Sequence, residues 1–286
     1  MSIKIQNLSY FYLQPNGEKF EALKNITCTI ETGDFTGLLG PTGSGKTTFL
    51  QLLAGLRPPT SGEIYFHGEE ISSKNFARHH LREKVGVVFQ NPEYQLFAAT
   101  VEKDVAFGLK ASGLSREEVT ARVQWALETM GFTFAKIRHQ SPLALSAGEK
   151  RRVALAGVLA RKPEILILDE PLTGLDPCGR QSFLRVVTEI NQAGTSIIMA
   201  SHDMEALAEY TKHLLVLEEG RLVEAGPTRE VFSRLKQKEH RAFQTKAQRI
   251  ATLLTEKGKL PLPAAVVTYN DLLSALRQEL AGGGPK

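Results

Sequence analysis

The 286-residue chain holds little cysteine and no long apolar run. Its two cysteines, Cys28 and Cys178, stand far apart without a CxxC pair. That excludes a disulfide framework and a thiolate metal site, and fits a reducing compartment. Apolar runs such as "ILIL" at 165–168 fall far short of the roughly 20 residues that cross a bilayer. The opening "MSIKIQNLSY" lacks the apolar stretch of a secretory leader, so none is expected, and a cytoplasmic protein is. Charge of one sign is scarce as well. Lys and Arg number 35 against 31 Asp and Glu, and the resulting +4 is a weak bias toward anionic partners that an ordinary solvated surface also shows. Most of the local excess lies in 234–259. With 42% hydrophobic and 23% charged residues, the chain has enough apolar content for one large core and an appended piece, and no long disordered stretch is expected.

No internal repeat is visible, and the order of segments points to an α/β fold. "IKIQNLSYFY" and "ALKNITCTIETGDFTGLLG" read as strands, the second running into a glycine-rich loop and then the helix "KTTFLQLLAGL". "SGEIYFHGEEI" and "LLVLEEGRLVEAG" read as hairpins and "KVGVVFQ" as a buried strand. "EILILDE" and "TSIIMASH" do not alternate, as central parallel strands should not. From about 91 to 160 the pattern is helical. After "TREVFSRL" a basic amphipathic helix is expected, with Phe243, Ala247, Ile250 and Leu254 at helical spacing. "LPLPAAVV" interrupts it before a last helix, "YNDLLSALRQEL", and a loose "AGGGPK" tail.

Chemistry concentrates in a few places. "GPTGSGKTT" (Gly40, Pro41, Thr42, Gly43, Ser44, Gly45, Lys46, Thr47, Thr48) satisfies GxxxxGK[ST] between a strand and a helix. Its backbone N–H groups converge on one point at the positive end of the helix, Lys46 reaches β- and γ-phosphates, and the Thr47 hydroxyl suits Mg²⁺. "ILILDE" ends an apolar strand in two carboxylates at the sheet edge where ligands bind. Asp169 is expected to hold Mg²⁺ through water, and Glu170 to take a proton from attacking water. His202 follows the next buried strand. "LSAGEKRRVALAGVLA" opens a second helix with a serine–glycine turn that also suits an anion. Gln90 at a strand terminus fits a loop residue or a ligand contact; Tyr10, Phe11 and Tyr12 fit strand packing or a base-stacking platform.

With these residues in place, the first 230 residues or so resemble an ATP-binding cassette ATPase. The family's motifs fall in order: aromatic loop at Tyr12, Walker A at 40–47, Q-loop at Gln90, signature at 145–149, Walker B at 164–170, "GLDP" at 174–177 and switch histidine His202. The resemblance implies a P-loop NTPase (RecA-like) core with an antiparallel β subdomain and an inserted helical subdomain at about 91–160. It implies a nucleotide-binding domain over 1–232 and an extension over 233–286. Two cassettes close head to tail in this family, so Leu145, Ser146, Ala147, Gly148 and Glu149 would serve the ATP of a second subunit, with Asp176 at the interface. Thr47, Gln90 and Asp169 would hold the Mg²⁺ of Mg-ATP. The usual signature is LSGGQ, whereas this chain reads "LSAGE". Ala147 would restrict a turn that glycine leaves free, and Glu149 would set a carboxylate near phosphate.

"VVFQNPEYQLFAATVEKDVAFG", "SPLALSAGEKRRVALAGVLA" at 141–160 and "LPLP" resemble more narrowly the ATPases of energy-coupling factor transporters, "NPEYQLF" in particular the second of the two ATPase paralogues. That implies pairing with an identical chain or a paralogue and docking on a transmembrane T component that carries a substrate-binding S component. It further implies uptake of a vitamin or a cobalt or nickel ion, and a peripheral place on the cytoplasmic face of the membrane. The T component would contact Gln90 to Phe97, and 233–286 would help pair the ATPases. A conventional importer or exporter cassette is the alternative. A nucleic-acid partner is not expected, because the chain has neither a second cassette nor a long inserted coiled coil.

Overall fold

The computed structural model describes residues 2–71, 81, 84–238, 241–257, 260, 262–263 and 265–282. Two sheets organise them. One pairs β1 (Ser2–Leu13), β2 (Lys19–Glu31), β4 (Ser61–Phe66) and β5 (Glu69–Glu70) antiparallel in the order β2-β1-β4-β5. The other contains β3 (Phe35–Leu39), β6 (Val85–Val88), β7 (Ile165–Asp169), β8 (Ser196–Ser201), β9 (His213–Glu218) and β10 (Arg221–Pro227). Its order is β10-β9-β3-β8-β7-β6, parallel except for the β9–β10 hairpin.

The unalternating strands are explained by two cores. Ile165, Ile167, Ile198 and Ala200 face Phe49, Leu52 and the antiparallel sheet. Their neighbours Leu166, Leu168, Ile197 and Met199 pack with Leu155, Val187 and Phe232 on the opposite face. Both faces are covered, so these positions are apolar, and burying each Ile, Leu or Met among them stabilises by about 1.5–3 kcal/mol.

Helix α1 (Lys46–Leu53) follows β3 across the glycine loop. The inserted helical part holds α2 (Val101–Val105), α3 (Arg116–Thr129), α4 (Phe134–Ile137) and α5 (Ala147–Leu159). Between β7 and β8 lies α6 (Pro177–Gln192), and after β8 comes α7 (Met204–Tyr210). The chain then forms α8 (Thr228–Gln237), α9 (Lys246–Glu256) and α10 (Tyr269–Gly282). No described helix is long and apolar enough to cross a membrane.

The C-terminal region departs from the single amphipathic helix expected after "TREVFSRL". Phe243 sits in a 3-10 turn (Arg241–Phe243) and is buried in the main core, while Ile250 is 39% exposed. Thr245 starts α9 afresh: Thr245 and Gln248 cap each other reciprocally, and the Thr245 hydroxyl donates to Val267 O at 2.7 Å. The local T-x-x-Q cap overrides the longer apolar period. The expected division at 232/233 falls inside α8, whose Phe232 and Leu235 are buried in the main core. Beyond it, α9 and α10 share a small core of Ala247, Ala251, Leu262, Val266, Leu272 and Ala275. Positions 261 and 264 of "LPLPAAVV" and 283–286 of the tail lie outside the described residues.

Candidate functional site

The loop 40–45 turns the chain from β3 into α1. Gly45 stands at φ +101°, and a Cβ there would meet Ala22 O at 2.6 Å, so conformation and close approach both demand glycine. It is also the N-cap of α1, and no side chain satisfies the amides there. Lys46 is 7% exposed and folds back over the loop. Its Nζ donates to Gly40 O at 2.6 Å and Pro41 O at 3.1 Å and lies 3.5 Å from Glu170 Oε1. Ser44 is buried, and its hydroxyl has no hydrogen-bond partner among the described residues. Thr42, Gly43 and Thr47 are exposed.

At the end of β7, Asp169 is buried and pairs in register with Ala200 of β8. Burial pushes its carboxyl above the ordinary range, opposed by the Thr47 side chain. Its Oδ1 is buried without a hydrogen-bond partner among the described residues. A hydroxyl and an under-satisfied carboxylate are a hard-oxygen set that suits Mg²⁺. This ion draws most of its shell from water and phosphate.

Glu170 takes the opposite course from its neighbour. Its φ is +48°, its N–H donates to Ala200 O at 3.0 Å, and its carboxylate lies between Lys46 and His202, whose Nδ1 is 2.8 Å from Oε2. Such a conformation costs on the order of 1–3 kcal/mol in a non-glycine residue and persists where the surroundings over-determine it. His202 follows β8 directly and its side chain is 68% exposed. Lys46, Glu170 and His202 therefore form one cluster beside Asp169.

Tyr12 joins that region through α1: its hydroxyl is 3.1 Å from Thr48 Oγ1, and its ring packs edge-on to Tyr10 with centroids 5.0 Å apart. The Arg57 guanidinium lies 5.3 Å from the Tyr12 ring centroid. Gln90 is two residues beyond β6, at the sheet edge, exposed and without a hydrogen bond among the described residues.

The 145–149 turn stands apart. Leu145 is buried and anchors it. Ser146 is the N-cap of α5; its N–H and hydroxyl donate to Glu149 Oε2 at 2.9 and 2.7 Å, and Glu149 N–H donates to Ser146 Oγ at 3.3 Å. Hydrogen bonds from the Ser146 side chain and backbone hold the Glu149 carboxyl below its usual range. Ala147 is the first residue of α5 and has no positive φ, so the restriction expected of it is not felt. A Cβ on Gly148 would meet nothing within 4 Å. Asp176 caps α6, accepting from Gly179 N–H at 2.6 Å. Ser146, Gly148, Glu149, Asp176 and Gly179 line one cavity of about 600 Å³, to which no residue of 40–48 contributes.

Sequence reasoning missed Arg151, a cation buried on α5 beneath that turn. The signal was present: Arg151, Leu155 and Leu159 recur every four residues, which sets a charge on the apolar face.

Comparison with known proteins agrees with the fold. The ABC transporter family matches residues 23–173. The energy-coupling factor transporter ATP-binding protein EcfA2 of Clostridium perfringens is 46% identical over 81% of this chain and 82% of its own length. Its namesake in Caldanaerobacter subterraneus subsp. tengcongensis is 41% identical over 99% of both chains. Among solved structures, cbiO1 of Clostridium perfringens, part of the ABC transporter complex cbiONQ, superposes with a TM-score of 0.74 at 37% identity over 88% of this chain and 98% of its own. The ATP-binding cassette MJ0796, solved as a dimer bound to ADP and Pi, gives a TM-score of 0.70 at 26% identity over 79% of this chain and 98% of its own. On these matches the chain belongs to the ABC transporter ATPases, among the ATP-binding proteins of energy-coupling factor transporters.

Proposed function

We propose that the chain binds Mg-ATP at Gly40–Thr48 and hydrolyses it only when a second cassette, identical or paralogous, adds its own Ser146-type turn. One observation carries this reading. The triphosphate loop gathers with Asp169, Glu170 and His202, while Ser146, Gly148 and Asp176 line a separate cavity free of 40–48 residues. Each chain thus holds one half of two sites.

In this reading Lys46 exchanges its contact with Glu170 for the β- and γ-phosphates, freeing that carboxylate to accept a proton from the attacking water. His202, fixed through Nδ1 on Glu170, directs its other ring nitrogen toward the γ-phosphate. Tyr12 stacks on the base. Thr47, Gln90 and Asp169 would hold Mg²⁺, which would supply neutralising charge to the transferring phosphate. The amides of Ser146 and Gly148 in the partner, at the positive end of a 13-residue helix, bind the γ-phosphate from the other side.

Closure and opening of the pair then power uptake of a vitamin or a transition-metal ion through a transmembrane T component bearing an S component, with the ATPases on the cytoplasmic face of the membrane. Tyr94 and Phe97, 86% and 65% exposed, support docking of the T component along Gln90–Phe97. Phe97 lines an apolar groove together with Leu56, Val87, Leu96 and Phe107. Exposed Tyr269, Leu273 and Leu280 form a stripe on α10, with Leu253 on α9, and support the extension as a pairing surface.

The test is dilution. Turnover per chain of the purified ATPase pair should fall toward zero as concentration drops below its association range. Constant turnover per chain at every concentration would sink the shared-site reading.

A further inference from the structure

Arg151 lies five residues after Ser146 on α5 and is 6% exposed. Its Nη1 donates to two carbonyls of the loop just after Glu170, Thr173 O at 2.6 Å and Pro171 O at 3.2 Å. Its Nη2 lies 3.6 Å from Glu93 Oε2, in the 3-10 turn Pro92–Gln95. One guanidinium therefore joins the Ser146 helix, the Glu170 loop and the Gln90–Phe97 segment. The loop is tied back to Glu170, since Thr173 N–H donates to Glu170 O at 3.3 Å.

The joint is under-satisfied. Arg151 Nε and Glu93 Oε2 are buried and without a hydrogen-bond partner among the described residues. For filling space, an apolar side chain of similar volume would serve better than a buried charge with unspent donors. The 3.6 Å ion pair is just longer than a hydrogen bond, so a small shift of the Glu93 turn has a second, tighter arrangement within reach.

We propose that Arg151 is a positioning residue that links the Gln90–Phe97 segment, through Glu93, to the backbone holding Glu170. A displacement of that segment then reaches the base. The proposal rests on the catalytic reading of Glu170 given above and adds a specific path between the exposed groove and the hydrolytic group.

The experiment is a double-mutant cycle on the full-length chain assembled with its partner cassette. Arg151→Met, Glu93→Gln and the double variant are compared for kcat and for ATP affinity. Each single change should lower kcat about tenfold with ATP affinity nearly unaltered, and the double variant should be no slower than the slower single. Arg151→Lys should not restore kcat, because a single point-like ammonium cannot reproduce a planar fork that sets Nη1 on the two carbonyls and Nη2 toward Glu93. Losses that multiply independently, or a normal kcat in folded variants, would overturn the proposal. Glu93→Gln is close to isosteric and answers alone if Arg151→Met does not fold: unaltered kcat there is also a refutation. Normal turnover by Glu170→Gln would overturn the catalytic reading itself, through a different variant.

Discussion

Two helices of this chain begin at turns suited to an anion, and they are finished in opposite ways. Helix α1 starts from Gly45 in a left-handed conformation, with no side-chain cap, no acidic residue in its first turn, and Lys46 as its first residue. Helix α5 starts from Ser146, and Glu149 closes a reciprocal cap on it with three hydrogen bonds. The α1 amides lack a side-chain acceptor, whereas the α5 turn is already satisfied and, in the proposed reading, would exchange its own carboxylate for a phosphate. A cap of this kind is worth about 1 kcal/mol. Charge-assisted bonds to phosphate run to about 1.5–3 kcal/mol each. That surplus is small against the roughly 4–15 kcal/mol of association entropy a free ligand loses, so the exchange at α5 favours a triphosphate that another loop already holds. In the proposed reading, that asymmetry assigns capture to α1 and completion to α5.

The largest expected effect separates capture from chemistry. Glu170→Gln should lower kcat by about two to four orders of magnitude, the usual worth of a general base. ATP binding should survive, and the closed pair should accumulate on a sizing column. Wild-type turnover would remove Glu170 as the base. Next in size, Lys46→Ala strikes the α1 side alone. It removes the cation bound to Gly40 O and Pro41 O and should weaken ATP binding about a hundredfold, close to 3 kcal/mol, by nucleotide titration. If binding is unaltered, α1 is not the capture site.

Much of this was legible in the sequence because its signals are local. GxxxxGK[ST] needs only a strand before and a helix after, and β3 and α1 provide them. The doubly apolar β7 and β8 declared themselves as central strands because both of their faces are covered. The rest is set by contacts distant in sequence or by a local cap that competes with the apolar period. The pairing of Glu170 with Lys46 and His202 depends on a left-handed φ that its residue type does not announce. Arg151 reads as one more cation in "KRR" until α5 turns it under the Glu93 turn. The break between α8 and α9 is set by the Thr245–Gln248 cap, a local signal that outweighs the apolar period running through it.

The finest test asks whether the closed cap on α5 is what makes it the weaker partner. Glutamine can still cap from the third helical position but brings no charge. Glu149→Gln should therefore lower the ATP concentration that drives pairing by a few-fold, since a charge at an exposed helix end is worth about 0.3–1 kcal/mol. No change would mean that the carboxylate does not oppose the phosphate. The same variant carries a pH signature. Because Ser146 holds the Glu149 carboxyl below its ordinary 4.5, its contribution to stability is complete above that value and is lost as pH falls through the lowered one. The gap in thermal midpoint between wild type and Glu149→Gln should accordingly shift against the wild type on acidification. Other carboxyls held low, such as Glu224 and Asp271, are common to both proteins and cancel in the difference. A gap that stays constant across the carboxylate range would show that Ser146 holds the charged and uncharged forms equally, and the contrast between the two helix ends would then rest on Lys46 alone.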